Sequence, residues 1–197
     1  MPAPIPSNVN GLFDFQFHQV AIFCPKGVEA AVDHWWKLGY TNWIEDNAEL
    51  KGILHMTTPA RDQYDVAVLT TARMLFNYDI MPMELEFLEY SGPSRWSEIP
   101  SDADPFISHM SVYVDDVIAD TSRLTTLLGY PPFHRFITQN HSNPGVRHKK
   151  RFIESIFDTR HLLGYDTKLI QKVPWDYRDE DWLDVKFVQG KEIPVQP

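Results

Sequence analysis

Two histidines, one glutamate and one glutamine stand at similar points of a weak internal repeat. His18 begins the string His-Gln-Val-Ala-Ile-Phe, and His109 begins the string His-Met-Ser-Val-Tyr-Val. Glu86 lies 86 − 18 = 68 positions after the first histidine, and Gln171 lies 171 − 109 = 62 positions after the second. Residues at equivalent points of two related modules approach a common pseudo-two-fold axis. The two histidines and Glu86 are therefore expected to meet, with Gln171 as a further oxygen, and these atoms are ones that bind divalent transition metals.

The elements that position these residues follow the same order in both copies. Each histidine opens an alternating, β-rich run, which passes through a turn into a helix-like stretch and ends at Leu-Gly-Tyr, residues 38–40 and 128–130. The distance from histidine to glycine is 39 − 18 = 21 positions in the first copy and 129 − 109 = 20 in the second. Identical order with nearly identical spacing indicates a real repeat.

Three strand-like runs separated by turn residues follow each helix. They cover residues 41–56, 64–75 and 83–90 in the first copy, and residues 133–139, 151–160 and 167–173 in the second. Each copy is thus a β-α-β-β-β module, whose helix covers only one face of its sheet. Pairing two modules closes the other face, so the sequence predicts an α+β fold with a cup-shaped, mostly antiparallel sheet and helices outside.

The chain divides around these modules. The predicted parts are an N-terminal arm (1–14), the first module (15–91), a linker (92–105), the second module (106–173) and a C-terminal extension (174–197). The linker is polar and rich in turn residues, as expected between two compact units. The extension carries Trp175, Tyr177, Trp182 and Phe187, which are too apolar to remain in solvent. These side chains are expected to pack on the body of the protein or on a second subunit.

Composition excludes several classes of function. The 197 residues are 43% hydrophobic and carry a formal net charge of −9. This charge disfavours nucleic acid and anionic membranes as partners, and no apolar run is long enough to span a bilayer. Cys24 is the only cysteine, so an intramolecular disulfide and a cysteine-rich zinc site are excluded. The first residues lack the basic and apolar regions of a secretory signal, and a cytoplasmic location is expected.

Several short strings resemble one known group of proteins, and together they span about residues 15–173. Besides the two histidine strings and the Leu-Gly-Tyr tripeptides, they include Leu-Glu-Phe-Leu-Glu-Tyr-Ser-Gly-Pro at 85–93 and Leu-Ile-Gln at 169–171. In order and spacing the sequence resembles the vicinal oxygen chelate superfamily of glyoxalases, bleomycin-resistance proteins and extradiol dioxygenases. The resemblance implies one divalent metal, Fe²⁺, Mn²⁺, Ni²⁺ or Zn²⁺, held by His18, Glu86, His109 and Gln171.

The resemblance also implies an activity: a glyoxalase-like isomerase or lyase whose small substrate chelates the metal through adjacent oxygens. An Fe²⁺-dependent ring-cleaving dioxygenase and a metal-free protein that binds drugs or other ligands are the alternatives. Many members carry glutamate where Gln171 stands, and glutamine cannot take a proton. Glu86 is therefore the favoured base, with Glu84 and Glu154 as alternatives. Assembly into a homodimer is left open.

Each of these residues also has a structural interpretation. A strand histidine is more often a packed core or surface residue than a ligand, and Glu86 could be a solvated strand residue. His134, His141, His148 and His161 have no spacing that demands a metal, and the basic run 147–151 reads as a solvated strand flank.

Overall fold

The computed structural model describes residues 17–57, 63–77, 79, 83–96, 99–140, 151–188 and 191–194. The predicted N-terminal arm, His141, His148 and residues 147–150 of the basic run lie outside this part of the chain. Within it, no helix combines the length and the apolar character that crossing a membrane requires.

The described strands and helices follow the predicted order. The first module contains β1 (Gln19–Phe23), α1 (Val28–Trp36), β2 (Trp43–Thr57), β3 (Gln63–Asn77) and β4 (Glu84–Ser91). The second contains β5 (Phe106–Tyr113), α2 (Val117–Leu128), β6 (His134–Asn140), β7 (Arg151–Phe157), the short helix α3 (Arg160–Leu163) and β8 (Asp166–Val173). The extension adds α4 (Glu180–Leu183), β9 (Val185–Val188) and β10 (Lys191–Pro194). The predicted α+β fold of two β-α-β-β-β modules is confirmed.

Eight strands close into one barrel in the order β1-β4-β3-β2-β6-β7-β8-β5. Within each module the first and last strands are parallel, β1 with β4 and β5 with β8. The modules join twice through antiparallel pairs, β1 with β5 and β2 with β6. At the first junction, Gln19 pairs with Ser111 and Ala21 with His109. The cup is therefore a closed barrel, and alternate residues of each strand face its interior.

The repeated Leu-Gly-Tyr tripeptide stops the chain from continuing as a helix in both modules, directly after α2 and in the turn at residues 37–39 that follows α1. Gly39 has φ 97° and Gly129 has φ 79°, and both values lie in the left-handed region that residues with a side chain rarely adopt. At the other end of α2, Asp116 accepts a hydrogen bond from the backbone N–H of Ala119 at 2.9 Å. These local signals explain why the helix limits could be predicted.

Three apolar clusters divide the core between the inside and the outside of the barrel. The interior cluster includes Phe23, Leu88, Trp96 and Phe136. A second cluster lies between α1 and the outer face of the first module, and a third lies between α2, α4 and the outer face of the second. In the third cluster Trp182 is buried and donates a hydrogen bond from its indole nitrogen to the carbonyl of Phe136 at 3.2 Å. The extension thus covers outer sheet surface that the module helices leave open.

Candidate functional site

Polar side chains gather on the inner face of the barrel, where alternation along the strands directs them. They come from six strands: Gln19 of β1, Glu84 and Glu86 of β4, His109 and Ser111 of β5, Thr138 of β6, Glu154 of β7 and Lys168 of β8. All of them except Glu84 are buried. A polar interior in a barrel of this size is costly unless the groups pair with one another or with a ligand.

Glu86 and His109 form the centre of this set. Their side chains are 3% and 1% exposed, and Oε2 of Glu86 lies 3.5 Å from Nε2 of His109. Among the described residues, neither atom has a hydrogen-bond partner within normal geometry. Buried polar atoms are rarely left without hydrogen-bond partners. Where such unpartnered atoms occur, they often mark a site of chemistry or ligand binding.

The contacts of the other ring nitrogen of His109, Nδ1, indicate which of the two nitrogens carries the imidazole proton. Ser108 Oγ lies 3.1 Å from Nδ1 of His109, and it donates its own hydrogen to the carbonyl of Ala21 at 3.1 Å. The hydroxyl must therefore accept a hydrogen from Nδ1, which leaves Nε2 with a lone pair facing Glu86. We infer that a carboxylic acid proton of Glu86 points toward this lone pair.

The electrostatics of the pair agree with this assignment. Burial raises the pKa of Glu86, and the nearby positive charge of Lys168 only partly opposes the shift. Burial, together with the charges of Lys168 and Arg160, holds the pKa of His109 well below its usual range. Both shifts favour the uncharged forms, a protonated carboxyl and a neutral imidazole, over the charged forms of the two groups.

A buried ion pair lies beside this centre. Nζ of Lys168 is 3.1 Å from Oε2 of Glu154, and both side chains are almost fully buried. Thr138 donates a hydrogen bond to the other carboxylate oxygen of Glu154. Burial acts to lower the pKa of Lys168, but the carboxylates of Glu154, Glu86 and Glu84 outweigh it and raise the pKa. Lys168 therefore keeps its positive charge inside the barrel.

Gln19 links the two sides of the interior. Its amide oxygen accepts a hydrogen bond from Ser111 at 2.6 Å, and its amide nitrogen donates to Oε2 of Glu84 at 3.3 Å. Both ends of the amide are thus engaged with residues of β5 and β4.

His18 lies one residue before β1 and outside the central cluster. Its Nδ1 accepts from the backbone N–H of Tyr113 at 3.4 Å, and its ring is 5.4 Å from that of Tyr113. His109 pairs with Ala21, three residues further along β1. At about 3.3 Å per residue, His18 is about 10 Å along the barrel from His109.

Gln171 points to the outside of the barrel. Its side-chain oxygen accepts from the backbone N–H of Val117 at 3.0 Å, and its amide nitrogen donates to the carbonyl of Asp115 at 2.7 Å. It therefore caps the first turn of α2. Glu89 has the same role in the first module, where its carboxylate accepts from the backbone N–H of Val28 at 3.1 Å.

These two caps define the true alignment of the modules. Because Glu89 corresponds to Gln171, the last strands are offset by 171 − 89 = 82 positions. Residue 86 + 82 = 168 follows, so the partner of Glu86 is Lys168. Gln19 pairs with Glu84 and His109 pairs with Asp166, where 84 + 82 = 166, so the partner of His109 is Gln19. The predicted alignment of Glu86 with Gln171 and of His18 with His109 is corrected accordingly.

The four predicted metal ligands do not fit one ion in this geometry. Glu86 and His109 lie together, but His18 lies just before β1, about 10 Å from His109 along the strand direction, and Gln171 lies on the outer face of β8. Within the part of the chain that the structure describes, no group of three or more histidine, cysteine, aspartate or glutamate side chains could hold a metal ion. The ammonium of Lys168 near Glu86 would also repel a dication.

The floor beneath the polar cluster is aromatic. Trp96 comes from the predicted linker and enters the barrel, where it stacks on Tyr90 with ring centroids 5.3 Å apart and on Phe23 at 5.9 Å. Its ring centroid is 6.4 Å from that of His109. Such an aromatic surface could support an apolar part of a ligand.

Sequence reasoning missed Gln19, Lys168 and Trp96, although signals for the first two exist. From Gln19 to Gly39 is 39 − 19 = 20 positions, which equals the 129 − 109 = 20 of the second copy better than the His18 spacing does. Glu86 and Glu89 are separated by two apolar residues, as are Lys168 and Gln171. Nothing in the sequence indicates that Trp96 enters the barrel.

His134 is a further buried histidine on the inner face, and it should make the fold sensitive to acid. Burial lowers its pKa from 6.5 to about 3. The folded protein thus binds fewer protons than the unfolded chain between those pH values, so stability falls as the pH decreases through this window. Between pH 6.5 and 5, His134 should cost about 2 kcal/mol of unfolding free energy.

Urea unfolding of wild type and of His134→Asn at pH 7 and pH 5 measures this effect. The variant should lose less stability between the two pH values than the wild type, because its side chain does not titrate. His161→Asn is the matched control, since the side chain of His161 is 59% exposed. Equal pH dependence in all three proteins would contradict the prediction. The pKa shifts of His109 and Glu86 also make stability depend on pH, His109 in the same direction as His134 and Glu86 in the opposite direction. Both groups are present in the wild type and in the variant, so the difference between the two proteins reports His134.

The fold defines the class of protein as a closed barrel of two paired β-α-β-β-β modules, the architecture that the resemblance to vicinal oxygen chelate proteins implied. Solved structures similar to this chain include methylmalonyl-CoA epimerase from Mycobacterium tuberculosis, with a TM-score of 0.41 and 12% identity over 80% of this chain and 88% of that one. A variant of the Streptomyces coelicolor epimerase bound to 2-nitronate-propionyl-CoA has a TM-score of 0.43 and 14% identity, and covers 81% of this chain and 99% of that one.

A third similar structure is a methylmalonyl-CoA epimerase in complex with methylmalonyl-CoA and NH₄⁺, with a TM-score of 0.41 and 14% identity over 81% of this chain and 99% of that one. No protein-family model and no curated protein sequence matches the chain.

Proposed function

We propose that the protein is an isomerase-type enzyme that moves a proton at a carbon next to a carbonyl group of a small substrate. The observation that carries the proposal is the buried pair of Glu86 and His109, with 3.5 Å between two atoms that lack other partners among the described residues. A proton shared between a carboxyl and an imidazole can be given to a substrate or accepted from it.

The chemistry follows from the two forms of the pair. When the proton lies on Glu86, the residue is an acid; when it moves to Nε2 of His109, Glu86 becomes a carboxylate base. That base takes the proton from carbon, the C–H bonding electrons move onto the carbonyl oxygen, and the proton then returns to carbon. Lys168 favours the carboxylate form because its charge lowers the pKa of Glu86 against the effect of burial. The Ser108 hydroxyl keeps the imidazole oriented.

The metal-dependent version of this function and the Fe²⁺ dioxygenase are not proposed. A ring-cleaving site of that kind needs two histidines and a carboxylate on one ion. Here His18 and His109 are about 10 Å apart along β1, and only His109 contacts Glu86.

Solvent hydrogen exchange tests the proposal. The protein is incubated in D₂O with small carbonyl compounds that have an acidic C–H, namely 2-oxo acids, 2-hydroxyaldehydes and acyl thioesters, and deuterium uptake at that carbon is followed by NMR. Glu86→Gln should slow the exchange by about a hundredfold or more, because an amide cannot carry the proton. Glu89→Gln is the matched control, since Glu89 lies on the outer face of the same strand and caps α1. Equal exchange by Glu86→Gln and wild type would contradict the assignment.

A second candidate is a metal-free ligand-binding protein, and the aromatic floor favours it. The stacked rings of Phe23, Tyr90 and Trp96 offer a flat apolar surface next to polar groups. Quenching of tryptophan fluorescence by a planar aromatic compound, without exchange of any carbonyl compound above the uncatalysed rate, would support binding without chemistry.

A further inference from the structure

The two-fold relation of the modules brings four inner-face positions together, and one of them holds a positive charge. The positions are Gln19 with His109 and Glu86 with Lys168. We propose that Lys168 is the built-in cation of this site: its ammonium holds the substrate oxygen on which negative charge develops, and the protein works without a divalent metal. The role of the ammonium in holding the substrate oxygen rests on the proposed function, whereas the absence of a need for a divalent metal does not.

The ammonium is positioned and kept charged by its surroundings. Nζ lies 3.1 Å from Glu154, whose other oxygen is held by Thr138. An ammonium has three N–H donors, and the contact to Glu154 uses one of them. Lys168 and Glu86 act on each other electrostatically. A substrate oxygen near Glu86 would therefore lie in the field of a fixed, buried cation, where such interactions are stronger than in water.

The same positions lack the groups that a metal needs. Gln19 offers an amide that Ser111 and Glu84 already engage, and Lys168 offers a cation. Of the four positions, only Glu86 and His109 then offer a metal ligand. Two ligands are fewer than the three protein ligands of catalytic zinc sites. In this arrangement Lys168 supplies the positive charge that a metal would otherwise supply.

A purely structural role for Lys168, as the counter-ion of Glu154, predicts the same burial but no relation to metal binding. A role as the cation of the site predicts in addition that Gln19 and Lys168 occupy the two positions at which metal ligands are missing. Replacing both should create a metal site with Glu86 and His109. The double variant Gln19→His with Lys168→Glu provides a second imidazole and a second carboxylate at those positions. Gln19→His with Lys172→Glu is the matched control, because Lys172 is exposed on the same strand.

Metal content by elemental mass spectrometry and thermal unfolding are measured with and without Zn²⁺, Mn²⁺, Ni²⁺ and Fe²⁺. Wild type and the control variant should hold no stoichiometric metal, and their melting temperatures should not change with metal or chelator. The double variant should bind about one ion per chain. Its melting temperature should rise by about 5–10 °C at metal concentrations of a hundred times the dissociation constant.

Stoichiometric metal in the wild-type protein, lost in His109→Ala, would overturn the proposal, and so would a folded double variant that binds no metal. If four carboxylates inside the barrel prevent the double variant from folding without metal, Gln19→His with Lys168→Gln removes the cation without adding charge, and it should bind metal as well. These outcomes are independent of the exchange assay, so failure here and failure of the proposed function are distinguishable.

Discussion

Replacing Lys168 by methionine should lower the free energy of unfolding by about 3–5 kcal/mol at pH 7, one of the largest effects available in this protein. The loss arises because the substitution leaves the carboxylate of Glu154 without its counter-ion. Glu154 is almost fully buried, and among the residues that the structure describes it keeps only the Thr138 hydroxyl as a partner when the ammonium at 3.1 Å is removed. An unpaired buried carboxylate must either be desolvated at high cost or take up a proton.

Urea unfolding at pH 7 measures the loss, and two further variants explain it. Glu154→Gln combined with Lys168→Met should recover much of the stability, because no unpaired charge remains. Lys172→Met is the control for loss of a lysine on the same strand, where the side chain is exposed. A free energy of unfolding of Lys168→Met within about 1 kcal/mol of wild type would contradict the claim that Lys168 neutralises a buried carboxylate of Glu154.

Replacing Trp96 by alanine should cost about 3–5 kcal/mol, since it removes the largest ring from the barrel interior. Trp96 is 4% exposed and contacts Tyr90, Phe23 and Phe133 through stacked or edge-on geometry. The neighbouring rings also pack on one another, Phe23 on Tyr90 and on Phe106, so they should fill the space only in part and leave a cavity.

The matched control is Trp36→Ala, because Trp36 on α1 is 56% exposed and should contribute far less. Both variants lose one tryptophan, so unfolding is followed by circular dichroism as well as by fluorescence. Similar stability losses in the two variants would contradict the assignment of Trp96 to the interior. A folded Trp96→Ala protein is also informative about function, since its weakened binding of planar aromatic compounds would identify the floor as a ligand surface.

The interior combines features that are individually expensive. Glu86 and His109 have unpartnered buried atoms among the described residues, Lys168 and Glu154 are a buried ion pair, and His134 is neutral and enclosed. Apolar side chains in these places would give a more stable barrel. Concentration of such groups on one inner face, above an aromatic floor, is therefore better explained by binding and chemistry than by stability.

The sequence alone determined the modules and their local ends. Turn residues separate the strands, Gly129 ends α2 and Gly39 lies in the turn after α1, both in the left-handed region, and Asp116 caps the start of α2. These are local preferences of the backbone, and they do not depend on what packs nearby. The sequence also predicted that Glu86 and His109 would meet, and the structure places Oε2 of Glu86 3.5 Å from Nε2 of His109.

Only the tertiary structure decided which neighbour of each strand residue faces inward. The inner face of this barrel carries buried polar groups as well as apolar ones, so the alternation of polar and apolar residues along β1 and β8 does not show which face is inside. A shift of one residue in β1 exchanges His18 for Gln19, and a shift of three in β8 exchanges Gln171 for Lys168. The identity of the charged group at the centre depends on that register, which hydrogen bonds between distant strands establish and short-range sequence signals do not.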